Sequence, residues 1–530
     1  MRVMPTLTAV FILVISAGLR VTWIDRRSLW FDEGSSWLTA HFTPAELIDS
    51  LRQSTHVPLY YPVLRAWMLL FGESPVALRS MSVFFGLLTI VACGMLGKAM
   101  APVDTIPQPQ RLQAARWFGL FCAALCGCNA FQVWSSVEAR MYSLGTLLTV
   151  LSTFATLAVA ARPNDLRRWL VLVGLTLACV YAHHFLALTS LVQAAWLIWS
   201  IRRPSASDGL SVEVRSRVQS VATRFWVISV LVVGVLWIPG LALWAVQLQR
   251  VHHDFWIEPM SLWSLPETCC DFLLSPPPGR RSEFHWFGLF SSGVLVWLMF
   301  RVSRKMRASV ALLWFQSIAP MGVIALVSLH TPLWESRYFR FAHVSLLVCV
   351  AMSLWTLASN QKTRLAVCLL SIGVSIGASV ASWGLRDVPN RQAVRGAMLE
   401  IAKTDPNAEM TVVVCSPMDF IVARCYAQQL NWPAERVKLW TGPQKSPEGA
   451  VHLISASDWW VPDFTAEEKA SVWLLGSGER AMSIFNSLPP GEHEFEFPSD
   501  TWLNHWTVNL VRTDAAMLKE TSVHNRVARE

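Results

Sequence analysis

RSLWFDEGSSWL, residues 27–38, sets the carboxyl groups of Asp32 and Glu33 next to each other just after the first apolar run of the chain. Ionisable side chains are costly to hold near lipid, and membrane proteins that keep them use them in functional sites. The pair therefore predicts a watery site at the mouth of a membrane protein. The rest of the sequence indicates which residues face it.

The composition is that of a protein with many membrane spans. Of the 530 residues, 53% are hydrophobic and 15% are charged, and the mean hydropathy is +0.39. This is more apolar than a soluble protein of this size needs. The net charge of +8 comes from basic residues in short loops between apolar runs. Basic residues in such loops set the orientation of a protein in the membrane, so we attribute the charge to orientation and predict no nucleic-acid partner.

Eleven apolar runs are candidate spans, since a span needs about 20 residues and somewhat fewer when flanking groups reach the interface. They lie at about 5–22, 76–98, 116–134, 141–160, 168–182, 185–200, 225–247, 285–301, 308–328, 338–357 and 365–383. The fifth and sixth are short and could form one interrupted hairpin. The first is similar to a signal peptide but lacks a small-residue cleavage site, so we predict an anchor.

The loops between these spans set the orientation. With a cytoplasmic N-terminus, the basic loops at 161–168, 201–224, 301–307 and 360–364 all fall on the cytoplasmic side, as the positive-inside rule requires. The opposite side then receives the polar clusters, which are Asp32, Glu33, His56, Glu138, Arg140, His183, His184, Glu335 and Arg337. We predict a multi-pass protein of the cytoplasmic (inner) membrane with an extracytoplasmic active site.

Two domains are predicted. Residues 1–384 form an all-α transmembrane domain with external loops at 23–75 and 248–284, and the segment PLYYPVLRAWMLLF in the first loop predicts a helix along the membrane surface. Residues 385–530 form a small extracytoplasmic α/β domain. Its predicted helices are RQAVRGAMLEIAKT and MDFIVARCYAQQL, and its predicted strands are TVVVC, RVKLW, AVHLISA, SVWLLGS and TVNLVR.

Several of the polar residues have two interpretations. Asp32 and Glu33 could be the first residues of a surface helix or a catalytic pair. Glu138 and Arg140 could form an ion pair, or Arg140 could bind a phosphate, as could Arg337. His183 and His184 favour a polar turn over a metal site, because no ligand spacing supports a metal. A loop cluster at 252–258 favours a solvated face.

The eleven cysteines show no metal-finger spacing, and seven lie inside apolar runs, so most are predicted to be packing residues. Cys269 with Cys270, and Cys415 with Cys425, lie outside the runs. These two pairs could form disulfides if their side of the membrane is oxidising.

Residues 27–90 resemble the GT-C superfamily of membrane glycosyltransferases, which includes protein O-mannosyltransferases and bacterial aminoarabinose lipid A transferases. The shared features are the Asp-Glu pair at the start of the first external loop, an H-x-P-L-Y-Y segment at His56 to Tyr61, and an L-F-G-x-x-x-x-x-x-R stretch entering the second span. EARMYSL (138–144) is similar to a second acidic motif, and ESRYFRF (335–341) to a further basic and aromatic loop.

The resemblance implies transfer of a sugar from a polyprenyl-phosphate carrier to an envelope glycan, lipid or protein acceptor. It implies Asp32 as the catalytic base, with Glu33 in a supporting or substrate contact. The substrate-binding residues that it suggests are His56, Tyr60, Glu138, Arg140, Arg337 and Tyr338. Participation of a divalent cation stays open, and the sequence lacks a glycine-rich phosphate loop, which a lipid-phosphate donor does not need.

Two other classes of protein fit parts of the sequence. A transporter or lipid flippase would also have many spans, but such proteins usually show internal repeats and midplane charges. Here no repeat is visible, and the charges gather at span ends. A membrane-anchored binding or scaffold protein would act through the C-terminal α/β domain.

Overall fold

The structure is a computed structural model. It describes residues 3–103, 106–203, 212–251, 257–303, 308–358, 360–386, 393–407, 410–440, 453–459, 471–477, 493–498 and 507–514. The predicted loop cluster at 252–258 lies mostly outside these described residues.

Helices dominate the described residues. In chain order they are α1 (Val3–Val21), α2 (Phe31–His41), α3 (Pro44–Gln53), α4 (Tyr60–Phe71), α5 (Pro75–Met100), α6 (Gln108–Cys128), α7 (Ala130–Ser135), α8 (Tyr142–Ala161), α9 (Leu166–Ala182), α10 (Leu186–Arg202), α11 (Val212–Leu236), α12 (Ile238–Val251), α13 (Ser264–Leu273), α14 (His285–Ser303), α15 (Ala308–Ser328), α16 (Arg340–Leu357), α17 (Gln361–Arg386), α18 (Ala393–Thr404) and α19 (Pro417–Gln429).

Each predicted span contains a helix. Among the described residues, eight segments are long and apolar enough to cross a membrane, and they fall on α1, α5, α8, α11, α14, α15, α16 and α17. The other three predicted spans correspond to α6, α9 and α10. The prediction of a polytopic helical domain is therefore confirmed.

Two predicted spans are each divided between two helices. The third ends early because the Asn129 side chain accepts a hydrogen bond from the Gln132 backbone N–H at 3.1 Å and starts the short helix α7. The seventh is divided at Trp237, two residues before Pro239. Proline favours such a division because it lacks an N–H and its ring crowds the preceding turn.

Three helices, α2 to α4, connect α1 to α5. The segment predicted to lie along the membrane surface is helical and forms α4. This helix buries Tyr60, Tyr61 and Leu64 but leaves Leu69 and Leu70 about three-quarters exposed, at 75% and 76%. Helix α3 was not predicted, although its start carries a recognisable signal. Thr43 and Glu46 form a capping box there, with a proline at the first helical position.

The C-terminal domain is an α/β unit, as predicted. Its strands are β1 (Val412–Val414), β2 (Val437–Leu439), β3 (Ser471–Gly476), β4 (His493–Pro498) and β5 (Thr507–Asp514). They form one sheet in the order β2-β1-β3-β5-β4, in which β1 pairs in parallel with β2 and β3. Strand β5 is antiparallel to both β3 and β4.

Two details of this domain differ from the prediction. AVHLISA is not a strand in its described part, where residues 456–458 form a 3-10 turn. HEFEFP forms β4, which was not predicted. Its alternating pattern of apolar and polar residues was the available signal. The two possible disulfides are absent, because all eleven cysteines are free, buried thiols.

The C-terminal domain packs directly on α2. Gly34 lies against α19, and a Cβ at this position would stand 3.3 Å from methyl groups of Ile421 and Val422. The Leu29 N–H, just before α2, donates a hydrogen bond of 2.8 Å to the Tyr426 hydroxyl of α19. The helix that carries Asp32 and Glu33 is thus held between the membrane helices and the C-terminal domain.

This contact yields a stability prediction. We expect Gly34→Val to lower the melting temperature of the full-length protein, because the added methyls overlap α19 and overpacking costs about 1–3 kcal/mol. The control is Gly18→Val in α1, where a Cβ meets nothing within 4 Å. Equal melting temperatures for the two variants would contradict tight docking of the C-terminal domain.

Candidate active site

Glu33 and Arg79 form a buried ion pair at the start of α2. Arg79 donates through Nε to Glu33 Oε1 at 2.8 Å and through a terminal nitrogen to Oε2 at 2.6 Å. The Ala139 N–H adds a hydrogen bond of 2.9 Å to Oε1. Both side chains are almost fully buried, at 0% and 1% exposure. Glu33 therefore joins α2, α5 and the loop before α8.

The other donors of Arg79 are also occupied. They reach the backbone carbonyls of Ile24, Arg27 and Ser28 at 2.8 to 3.0 Å. Burial alone would raise the pKa of the Glu33 carboxyl, but the Arg79 guanidinium holds this pKa below its ordinary value. Glu33 is thus an ionised structural group with no exposed surface for a substrate.

Asp32 lies one residue earlier on α2 and faces a different environment. Its side chain is 20% exposed and lies near two guanidinium groups, with Arg337 at 3.5 Å and Arg140 at 3.7 Å from Oδ2. These distances exceed those of a charge-assisted hydrogen bond, about 2.7–2.9 Å. The two arginines therefore attract the Asp32 carboxylate electrostatically without forming a short, charge-assisted hydrogen bond to it.

Arg140 is fixed mainly by the backbone and by neutral partners. It donates to the Asp32 carbonyl and to the Ser36 hydroxyl, each at 3.0 Å, and to His56 Nε2 at 3.0 Å. Arginine can only donate, so His56 Nε2 is the acceptor and the ring proton lies on Nδ1. Burial alone would lower the pKa of Arg140, but nearby Asp32 raises it above its usual range.

Arg337 lies on a 3-10 turn (Ser336–Phe339) just before α16. The turn is anchored by Arg281, which contacts Asp271 at 2.9 Å and Glu335 at 3.0 Å. Ser336 also donates to the Asp271 carboxylate. This anchor was not predicted, because its members come from three separate parts of the chain.

Tyr338, the residue after Arg337, is half-buried, and its ring contacts Phe185 and His183 with centroids 4.8 and 5.9 Å apart. The structure thus brings Asp32, His56, Arg140, Arg337 and Tyr338 to one end of the helical bundle. These are five of the eight residues predicted for the site.

The remaining three predicted residues, Glu33, Tyr60 and Glu138, are buried in the wall of the candidate site. Glu138 pairs with Arg340 at 2.7 Å, and both side chains are 1% exposed. Tyr60 is 1% exposed, and burial raises the pKa of its hydroxyl well above the ordinary value. Glu138 and Tyr60 therefore support the site from behind, as Glu33 does.

His183 and His184, between α9 and α10, also lie in the wall of the candidate site. The His183 ring packs on Phe341 with centroids 4.9 Å apart, and burial lowers its pKa well below the ordinary value. His184 contacts Gln247 at 2.7 Å, and Gln247 in turn donates to the carbonyl of His56 at 2.8 Å. The described residues hold no group of three or more His, Cys, Asp or Glu side chains arranged for a metal ion.

The buried ion pair leads to a second stability prediction. We expect Glu33→Gln to destabilise the protein by about 3–5 kcal/mol, because it leaves the Arg79 charge buried and uncompensated. Glu213→Gln is the control, since its pair with Arg217 is 77% and 78% exposed and such pairs contribute little. Thermal unfolding in detergent measures both.

The same pair predicts a pH dependence. Because the folded-state pKa of Glu33 is lowered, its stabilisation is present at neutral pH and is lost as the pH falls below the ordinary carboxyl value and through the lowered pKa. A Glu33→Gln protein should lack this component of acid sensitivity. If the free energy of unfolding fell equally at low pH in the wild type and in Glu33→Gln, the lowered pKa of Glu33 would not be a source of the acid sensitivity.

Residues 54–207 match the family model of the N-terminal domain of protein O-mannosyl-transferase TMEM260. A search of curated proteins found no match.

Two solved structures of one protein match almost the whole chain, and a third structure matches less of it. ArnT from Cupriavidus metallidurans in the apo state has a TM-score of 0.54 and 14% identity over 96% of this chain and 98% of that one. The same protein bound to undecaprenyl phosphate gives 0.52 and 14% over 94% and 97%. An oligosaccharyltransferase from Archaeoglobus fulgidus gives 0.45 and 12% over 80% and 64%. The two ArnT structures show that this chain shares their fold, and this agrees with the GT-C fold that the sequence resemblance implied.

Proposed function

We propose that this protein is an integral membrane glycosyltransferase that moves a sugar from a polyprenyl-phosphate carrier to an acceptor hydroxyl. The fold supports this class of enzyme, and a structural relative is described as bound to undecaprenyl phosphate. The observation that carries the proposal is the Asp32 carboxylate, partly exposed between the guanidinium groups of Arg140 and Arg337.

These groups match what the reaction needs. Glycosyl transfer requires a base for the incoming hydroxyl and cations for the leaving phosphate. In the proposed mechanism, Asp32 accepts the proton of the acceptor hydroxyl while the oxygen attacks the anomeric carbon. The bond from that carbon to the phosphate oxygen breaks, and the electron pair leaves with the lipid phosphate. Attack from the face opposite the phosphate inverts the anomeric centre.

Arg140 and Arg337 are the proposed phosphate ligands. Guanidinium groups bind phosphate bidentately, and the 3.5 and 3.7 Å separations from Asp32 leave room for a closer anionic partner. Within the described residues, the buried Arg140 Nε has no hydrogen-bond partner. His56 accepts from Arg140 and keeps that guanidinium oriented.

The proposed location of this chemistry is the extracytoplasmic side of the cytoplasmic membrane. The support is the positive-inside rule, because the basic loops fall at the ends of the spans away from Asp32. The acceptor is proposed to be an envelope glycan, lipid or protein, since such molecules are accessible from that side.

Asp32→Asn tests the base. The substitution keeps the side-chain size and removes the proton acceptor, so we expect transfer to fall by about 10²–10⁴-fold while expression and melting temperature stay near wild type. The readout is mass spectrometry of lipid-linked sugars and envelope glycans in cells that carry either protein. The expected result is accumulated donor and missing product.

Asp49→Asn is the matched control, since Asp49 is an exposed acid on the neighbouring helix α3, 67% exposed in its pair with Arg52. Undiminished transfer by Asp32→Asn would remove Asp32 as the base. Movement of labelled lipid across proteoliposomes, with no glycosidic product, would instead favour a transporter or flippase.

Arg337→Lys tests the phosphate contact. Lysine keeps the charge but loses the planar fork of donors, so we expect the KM for the lipid-phosphate donor to rise about tenfold, as for the loss of one charged hydrogen bond. The KM for the acceptor should stay constant. Arg52→Lys on the surface of α3 is the control, and an equal rise for donor and acceptor would contradict a phosphate role.

A further inference from the structure

A groove between α1, α5 and α6 lies far from Asp32. It has a volume of about 550 Å³, within the range of pockets that hold small ligands. Its wall is largely apolar, with side chains such as Ile12, Leu13, Ile90 and Leu120, and its only charged lining residues among those described are Lys98 and Arg116. The groove thus combines a hydrocarbon surface with two positive charges.

Close helix packing places both charges at one end of the groove. A Cβ on Gly119 of α6 would lie 2.5 Å from the Gly94 carbonyl of α5 and 3.0 Å from the Lys98 Cβ, so the helix backbones nearly touch there. Lys98 lies one turn after Gly94, and Arg116 lies about one turn before Gly119. Because Lys98 is close to the last residue of α5 and Arg116 lies in the first half of α6, which returns alongside α5, both residues lie toward the same end of the helix pair.

That end is at the membrane surface opposite the candidate active site. Arg79 and Lys98 are separated by 19 positions on the same helix, which corresponds to roughly 28 Å at 1.5 Å per residue. This is close to the thickness of the hydrocarbon core, about 30 Å. Arg79 lies beside the Asp32 site, so Lys98 and Arg116 reach the other interface.

We propose that this groove binds an anionic glycerophospholipid, with an acyl chain along the apolar wall and the phosphate headgroup at Lys98 and Arg116. Charge complementarity supports this occupant, since basic pockets between membrane helices bind anionic headgroups. No described ion pair joins Lys98 or Arg116 to an acidic residue, and Lys98 is exposed. The groove is separate from the proposed carrier site, because the two lie at opposite interfaces.

The test uses the full-length protein in nanodiscs of phosphatidylcholine containing graded amounts of phosphatidylglycerol. Native mass spectrometry of the released protein counts the retained lipids. We expect wild type to retain phosphatidylglycerol selectively, and Lys98→Gln with Arg116→Gln to lower that selectivity by about fivefold for each cation removed. A further variant, Ala9→Trp, fills the groove without changing its charge and should lower retention of phosphatidylglycerol.

Arg162→Gln with Arg167→Gln is the control, since it removes two exposed positive charges outside the groove, one just after α8 and one in the first turn of α9. It should keep wild-type selectivity. Equal losses in the control and groove variants, or unchanged selectivity in the groove variants, would overturn the proposal. Tighter retention of undecaprenyl phosphate than of phosphatidylglycerol, with the same dependence on Lys98 and Arg116, would overturn the assigned occupant.

Discussion

The ion pair between Glu33 and Arg79 is the contact on which the geometry of the candidate site depends. Both groups are almost fully buried, and a charge in such a place is tolerated only when it is paired and its remaining hydrogen bonds are made. Here the carboxylate also accepts from Ala139, and the guanidinium also donates to three carbonyls near the end of α1. One pair thereby fixes the start of α2 against α1, α5 and the loop before α8.

Adjacent carboxylates on this helix consequently differ in role. Successive residues of an α-helix point about 100° apart, so when Glu33 is directed into the wall, Asp32 faces the mouth of the bundle. The two arginines near Asp32 are held by other groups, Arg140 by Ser36 and His56, and the turn of Arg337 by Arg281. Such rigid surroundings suit the proposed catalytic role of Asp32, because small misplacements of a catalytic group lower the reaction rate strongly.

The C-terminal domain contributes to the same constraint from the outside. Gly34 and Leu29 contact α19 on the opposite flank of α2, one through close packing and one through the Tyr426 hydroxyl. Helix α2 is short and carries few apolar residues of its own, so its position depends on these tertiary contacts rather than on intrinsic helix stability. The α/β domain therefore has a structural role at the candidate site, whatever else it binds.

The sequence by itself determined that the chain is a polytopic helical membrane protein, where most of its apolar helices lie, and that its C-terminal domain is an α/β unit. These features follow from local composition and periodicity, which a chain displays without folding. Only the tertiary structure decided which carboxylate is exposed and which cations face it. The pairs Glu33–Arg79, Glu138–Arg340 and Asp32–Arg337 join residues 46, 202 and 305 positions apart. Such partners are chosen by the packing of distant helices, because a buried charge requires a specific neighbour that local sequence does not specify.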